Sequence, residues 1–164
     1  MAQPDPVWLA AAQRYIGVAE TPGKGTTPTI KRWLLDLKAW WVDDETPWCG
    51  VFVAEVMREC GIARPKHWYR ARDWLNWGVT LDEPTVGCVV VYERGPTSGH
   101  VGLVVGQDKG GRLLTLGGNQ GNRVSVLPFE RWRVLGYRWP PGQFFDYYPL
   151  PILASKAAAS GNEA

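Results

Sequence analysis

The stretch Thr46-Pro47-Trp48-Cys49-Gly50-Val51-Phe52-Val53-Ala54-Glu55-Val56-Met57 constrains this chain more than any other. It reads as a short loop that delivers a cysteine to the first turn of an apolar helix. That helix continues through Cys60 and stops at Gly61, which suits a left-handed C-terminal cap. Its apolar face is broad, so the helix is expected at the centre of a domain, with other elements built around it. A thiol in its first turn lies beside unsatisfied N–H groups and the positive end of the helix dipole, and both favour thiolate. The competing reading of Cys49 is a small buried hydrophobe. A nucleophilic cysteine requires a base, an orienting group and a cleft from the remainder of the chain.

The flanking segments supply enough material for one domain of 164 residues. Asp5-Pro6 opens a first helix with Trp8, Ala11, Ala12, Tyr15 and Ile16 at helical spacing, ended by Gly17. Thr27-Pro28 repeats the signal before a second helix carrying Ile30, Trp33, Leu34 and Leu37. Beyond the cysteine helix, His67-Trp68-Tyr69 is a linker, and Ala71 to Trp77 is a short fourth helix. Five strands follow: Val86–Tyr92, His100–Gly106, Arg112–Gln120, Val124–Leu127 and Val134–Trp139. Their connections are too short for crossover helices, so the sheet is expected to be a five-stranded antiparallel meander. Helices first and strands afterwards give an α+β domain over residues 1–140. Residues 141–164 read as a tail, expected to be disordered at its end.

Several function classes are disfavoured by composition. A net charge of +2 without a basic cluster argues against nucleic acid. No apolar run approaches the roughly 18–20 residues of a membrane span. The start, Met-Ala-Gln-Pro-Asp-Pro, lacks the basic and apolar regions of a secretory signal, so synthesis in the cytoplasm is expected. Cys49 and Cys60 would stand roughly 16 Å apart on one helix, too far for a disulfide. With no Cys-x-x-Cys or His-x-x-x-His, no structural metal is expected. Ten tryptophans are a surplus for this length, and such a surplus often lines a groove for an amphipathic ligand. The segment Trp40-Trp41-Val42-Asp43-Asp44-Glu45-Thr46-Pro47-Trp48 joins aromatics to three acids just before Cys49. Those acids read as a solvated turn, as a recogniser of a substrate amine, or as ligands for calcium.

A base and an orienting group occur where the sheet would place them. His100 opens a strand after a Gly/Pro/Ser turn, at the sheet rim, within reach of a helix N-terminus packed on the sheet. Asn119 ends the next strand, and an antiparallel hairpin brings it near His100, where its amide can fix an imidazole. His67 lies in a linker without a rim position and ranks below His100 as a base.

Trp48-Cys49-Gly50-Val51-Phe52-Val53, Gly87 to Tyr92, Gly99-His100-Val101-Gly102-Leu103-Val104 and Gly117-Gly118-Asn119-Gln120 resemble the papain-like amidohydrolases of the NlpC and CHAP type. Within that superfamily they are similar to a bacterial and phage branch often found as endolysins. The resemblance covers roughly residues 5–140. It implies a papain-like fold, with the nucleophile helix packed on an antiparallel sheet, and hydrolysis of amide bonds in peptidoglycan. By position, Cys49 would be the nucleophile, His100 the base and acid, and Asn119 the orienting residue. Many CHAP relatives carry a glutamate two residues before that asparagine, where this chain has Gly117. Gln120 is adjacent, but strand alternation points it the other way unless the strand breaks at the glycines. Some CHAP relatives bind calcium through acids just before the cysteine, the region of Asp43, Asp44 and Glu45, though at a different spacing.

Trp48, Trp41, Asp44, Glu45 and Gln120 are the residues expected to meet substrate, with Trp40 and Trp68 as further groove walls. The chain is expected to be a monomeric lysin or delivered effector that acts on peptidoglycan at the cell wall or in the periplasm. Two rival readings use the same fold: an idle wall-binding or virion component, and a cysteine acyltransferase.

Overall fold

A computed structural model describes residues 4–21, 27–41, 47–155 and 160. Among these residues three α-helices precede the sheet: α1 (Val7–Gln13), α2 (Pro28–Asp36) and α3 (Cys49–Glu59). α1 is shorter than its apolar spacing predicts. Its last turn gives way to a bend ending at Gly17, whose φ of +100° turns the chain so that its N–H reaches Val124 O at 2.9 Å. Asp5 does not cap α1; its carboxylate accepts from the Gln13 amide at 3.2 Å instead. α3 ends as expected, with Gly61 at φ +69°. Every residue from Cys49 to Met57 is buried, in keeping with its nearly continuous apolar sequence. The expected fourth helix is a 3-10 helix over Ala71–Asn76.

Among the described residues the sheet has six strands, not five: β1 (Val79–Leu81), β2 (Val89–Glu93), β3 (Gly99–Gln107), β4 (Leu113–Gly117), β5 (Ser125–Phe129) and β6 (Val134–Trp139). Their order is β1-β6-β2-β3-β4-β5, and all neighbours are antiparallel. β2 to β5 form the expected meander. The last strand departs from it, returning to pair with β2 on the edge opposite β3. Arg133 helps hold that return, its guanidinium donating to Glu93 O at 3.0 and 3.2 Å. β1 is a three-residue edge strand on β6, too short to show alternation in sequence.

α3 packs on β3 and β4, with α1 and α2 against it. Two glycines allow this close fit. A Cβ at Gly50 would overlap the Trp68 carbonyl oxygen, and one at Gly118 would meet Phe52 Cβ at 2.7 Å and Trp48 ring carbons at 2.9 Å. The chain after β6 docks beside β3: Gln107 N–H donates to Pro151 O at 2.9 Å, and Leu153 N–H donates to Gln107 O at 2.8 Å. The end of the tail, 156–159 and 161–164, lies outside the described residues. No helix among the described residues is long and apolar enough to cross a membrane.

Candidate active site

Cys49 is the first residue of α3, and the side of that helix on which it stands faces β3. It is 5% exposed, and His100, in the second position of β3, is fully buried. The sheet register sets His100 opposite Tyr92. Its ring lies nearly parallel to Phe129, centroids 5.3 Å apart at 8°, and to Tyr92 at 6.4 Å and 20°. Tyr92 and Phe129 stack on each other at 4.3 Å, and the Tyr92 hydroxyl is tied to Thr115 Oγ1 at 2.6 Å. The imidazole plane is thus fixed by aromatic packing before any polar contact is considered.

Gln120 then fixes the ring's tautomer. Its side-chain N–H groups are spent on two backbone carbonyls, Thr115 O at 3.0 Å and Ser125 O at 2.8 Å. Its Oε1 is therefore the atom that faces His100 Nε2, at 2.8 Å. An amide oxygen only accepts, so Nε2 carries the proton and Nδ1 is left as the basic nitrogen. With Nε2 engaged by the amide, Nδ1 is the ring nitrogen left to act as a base, and the imidazole's presence favours the Cys49 thiolate.

The thiol's acidity follows from its surroundings. Burial pushes Cys49 up, but the hydrogen bond and charge of His100 act against that, joined by the Val101 N–H and the positive charge of Arg94. These outweigh burial and hold the thiol below the ordinary cysteine value. For the other cysteines burial prevails over what opposes it, backbone hydrogen bonds at Cys88 and the charge of Arg14 at Cys60. Burial pushes Cys88 up to about 12, and Cys60 is also raised, chiefly by burial. A thiol beside a basic imidazole that is itself held by an amide can lose its proton and attack an electrophilic carbon.

The side chain that meets His100 Nε2 is that of Gln120, the neighbour of the Asn119 expected from sequence. β4 ends at Gly117, and Asn119 adopts a left-handed backbone with φ +59°. That turn breaks the strand alternation and brings Gln120 back toward His100. The empty Cβ position of Gly117 is the space the Gln120 amide uses: a Cβ there would overlap Oε1 and stand 3.2 Å from His100 Nε2. Asn119 itself is buried beside this turn.

Trp48 does not wall a groove. It is 1% exposed, packed against Trp33 at 6.1 Å, with its indole N–H donating to Glu20 at 3.0 Å. It precedes α3, and its ring must turn inward to let the chain enter the helix beside Gly118. Trp41 is half-buried and belongs to an aromatic cluster with Trp40, Trp68 and Tyr69. His67 is engaged elsewhere, its Nδ1 3.0 Å from Asp73. Asp43, Asp44 and Glu45, and with them the amine and calcium readings, lie outside the described residues. Among the described residues no group of three or more His, Cys, Asp or Glu is placed to hold a metal ion. A separate cavity of about 810 Å³ lies between α1 and the segment after β6, walled by Trp8, Ile16, Val126, Phe144 and Leu153, and none of Cys49, His100 or Gln120 lines it.

Sequence had offered no sign of the Val101 N–H, a backbone donor, nor of Phe129, whose place against His100 depends on the β4–β5 pairing. Residues 41–119 match the CHAP domain family. No curated protein matches the chain.

Proposed function

We propose that this chain, a member of the NlpC/CHAP superfamily by its CHAP domain, is a cysteine hydrolase that cleaves an amide bond of peptidoglycan. The family supports peptidoglycan hydrolase or amidase activity in general. The observation that carries the sharper reading is the placement of His100, held at Nε2 by the Gln120 amide at 2.8 Å, where it favours the thiolate of Cys49 at the start of α3.

In this mechanism His100 Nδ1 takes the thiol proton, and the Cys49 thiolate attacks the carbonyl carbon of the scissile amide. The carbonyl electrons move onto oxygen, which the N–H of Cys49 at the start of α3 stabilises. The C–N bond breaks, His100 returns its proton to the leaving amine, and an acyl thioester remains on Cys49. His100 next takes a proton from water as that water attacks the thioester. The acid product leaves, and the proton passes back to the thiolate. Gln120 holds the imidazole throughout, stabilising the Nε2–H tautomer and the orientation that aims Nδ1 at sulfur.

The test is digestion of purified peptidoglycan followed by mass spectrometry of the soluble products. Wild type should release fragments with one new amine and one new carboxyl group for every bond cut, on the two sides of that bond, and Cys49→Ala should release none. Release unaffected by that substitution would overturn the assignment. The products also identify the bond, separating an amidase from an endopeptidase.

A further inference from the structure

We propose that Trp40, Trp41, Trp68 and Tyr69 form a sugar-binding subsite that holds a ring of the glycan strand while the attached peptide lies over Cys49. The inference rests on the peptidoglycan reading above and adds which part of that polymer this face recognises.

Trp40 is 74% exposed, yet it is not loose: its ring stands edge-on to Trp41 at 4.6 Å and to Tyr69 at 4.8 Å. Trp41 in turn stacks on Trp68, centroids 5.9 Å apart at 27°. An indole held out in water by two neighbouring rings is a preorganised apolar face, which costs little ordering when a ligand lands on it. Contiguous exposed apolar surface of this kind marks an interaction site.

The cluster borders the first turn of α3, where Cys49 stands. The Trp68 carbonyl sits against Gly50, so closely that a Cβ there would overlap it, and Gly50 directly follows Cys49. The rim of the cluster is polar. His67 stands edge-on to Tyr69 at 5.8 Å and is paired with Asp73 at 3.0 Å, both side chains partly exposed. A flat apolar face with hydrogen-bonding groups at its edge complements a pyranose ring. The C–H faces of a sugar are apolar and its hydroxyls project from the perimeter, where imidazole and carboxylate can meet them. The peptide part of the polymer, short and charged, offers no comparable flat face; Arg70, whose guanidinium lies 5.6 Å from the Tyr69 ring centroid, adds donors at the rim that a sugar hydroxyl can meet.

Two measurements test this. The first is equilibrium binding of a peptide-free disaccharide of the glycan repeat to Cys49→Ala protein, read by tryptophan fluorescence, with Cys49→Ala/Trp40→Ala beside it. The sugar should quench and shift the emission of the first protein, and the second should bind about tenfold more weakly or worse, the scale of one lost stacking contact. No binding to the first protein, or equal binding to both, overturns the subsite whether or not the enzyme is active. The second compares kcat/KM for a disaccharide-linked peptide with that for the same peptide without sugar. Wild type should prefer the linked substrate, and Trp40→Ala should bring the ratio toward one through KM, with Trp40→Tyr restoring part of it. An unchanged ratio overturns the subsite while leaving the hydrolase reading intact. Turnover of neither substrate, beside intact sugar binding, overturns the hydrolase reading alone.

Discussion

The side-chain oxygen of Gln120 stands 2.8 Å from Nε2 of His100, in the space that a Cβ on residue 117 would fill. Where many relatives by resemblance use a carboxylate reaching from position 117, this chain has a glycine and an amide reaching back from position 120. The amide is itself fixed, since both of its N–H bonds go to the carbonyls of Thr115 and Ser125. Gln120→Ala should therefore lower kcat by about a hundredfold, the scale for a misdirected general base, with little change in KM. Gln120→Glu is not expected to rescue it at neutral pH. A carboxylate would bring an acceptor against two carbonyl acceptors, so burial and repulsion favour its protonated form in the fold. A group whose folded pKa is raised contributes stability at low pH and loses it as pH rises through the unfolded value toward the folded one. Denaturant melts of Gln120→Glu should thus show stability falling between mildly acidic and neutral pH, a trend absent from Gln120→Ala.

Gly117→Ala gives a related outcome by another route. The backbone of residue 117 is unstrained, so the cost is the methyl group's overlap with the Gln120 amide. Overpacking of this kind costs about 1–3 kcal/mol and should dislodge the orienting oxygen. Measured as a double-mutant cycle, Gly117→Ala should cost much less activity in the Gln120→Ala background than in wild type. Additive losses would show that Gly117 acts independently of the amide.

The thiol predicts its own pH dependence. Cys49 is held below the ordinary cysteine value, so thiolate is present at lower pH than for a free thiol. Iodoacetamide should modify Cys49 ahead of Cys60 and Cys88, both pushed up by burial. The midpoint of its alkylation rate against pH should lie below that of a free thiol. His100→Ala removes the largest contribution opposing burial, so the midpoint should then rise. Peptide mapping by mass spectrometry at each pH checks both the site and the midpoint.

The legible parts of this molecule were those with a local cause. α3 declared itself through an unbroken apolar run from Val51 to Val53 and through Gly61, and β2 and β3 through their β-branched residues. The positions of Cys49 and His100 are legible because a helix start and a strand start are visible in sequence. What escaped notice depends on distant segments. The return of β6 to β2 is a long-range pairing, aided by Arg133 reaching Glu93. Gln120 was directed away because alternation assumes an extended chain, whereas Asn119 turns left-handed. The inward turn of Trp48 is not legible, because adjacency to Cys49 says nothing about which way an indole points.

Trp48 supplies the remaining prediction. Its ring fills the space between Trp33, Phe52 and the bare Cα of Gly118, and its N–H is satisfied by Glu20. Trp48→Ala leaves a cavity beneath the first turn of α3 and should cost about 3–5 kcal/mol. Trp48→Phe keeps most of the packing but leaves the partly buried Glu20 carboxylate without its indole donor, which should cost about 1–3 kcal/mol. Urea denaturation of both variants, with KM measured under conditions where each is folded, separates this role from substrate contact. A core residue shifts the denaturation midpoint and leaves KM near its original value, whereas a groove wall would do the reverse.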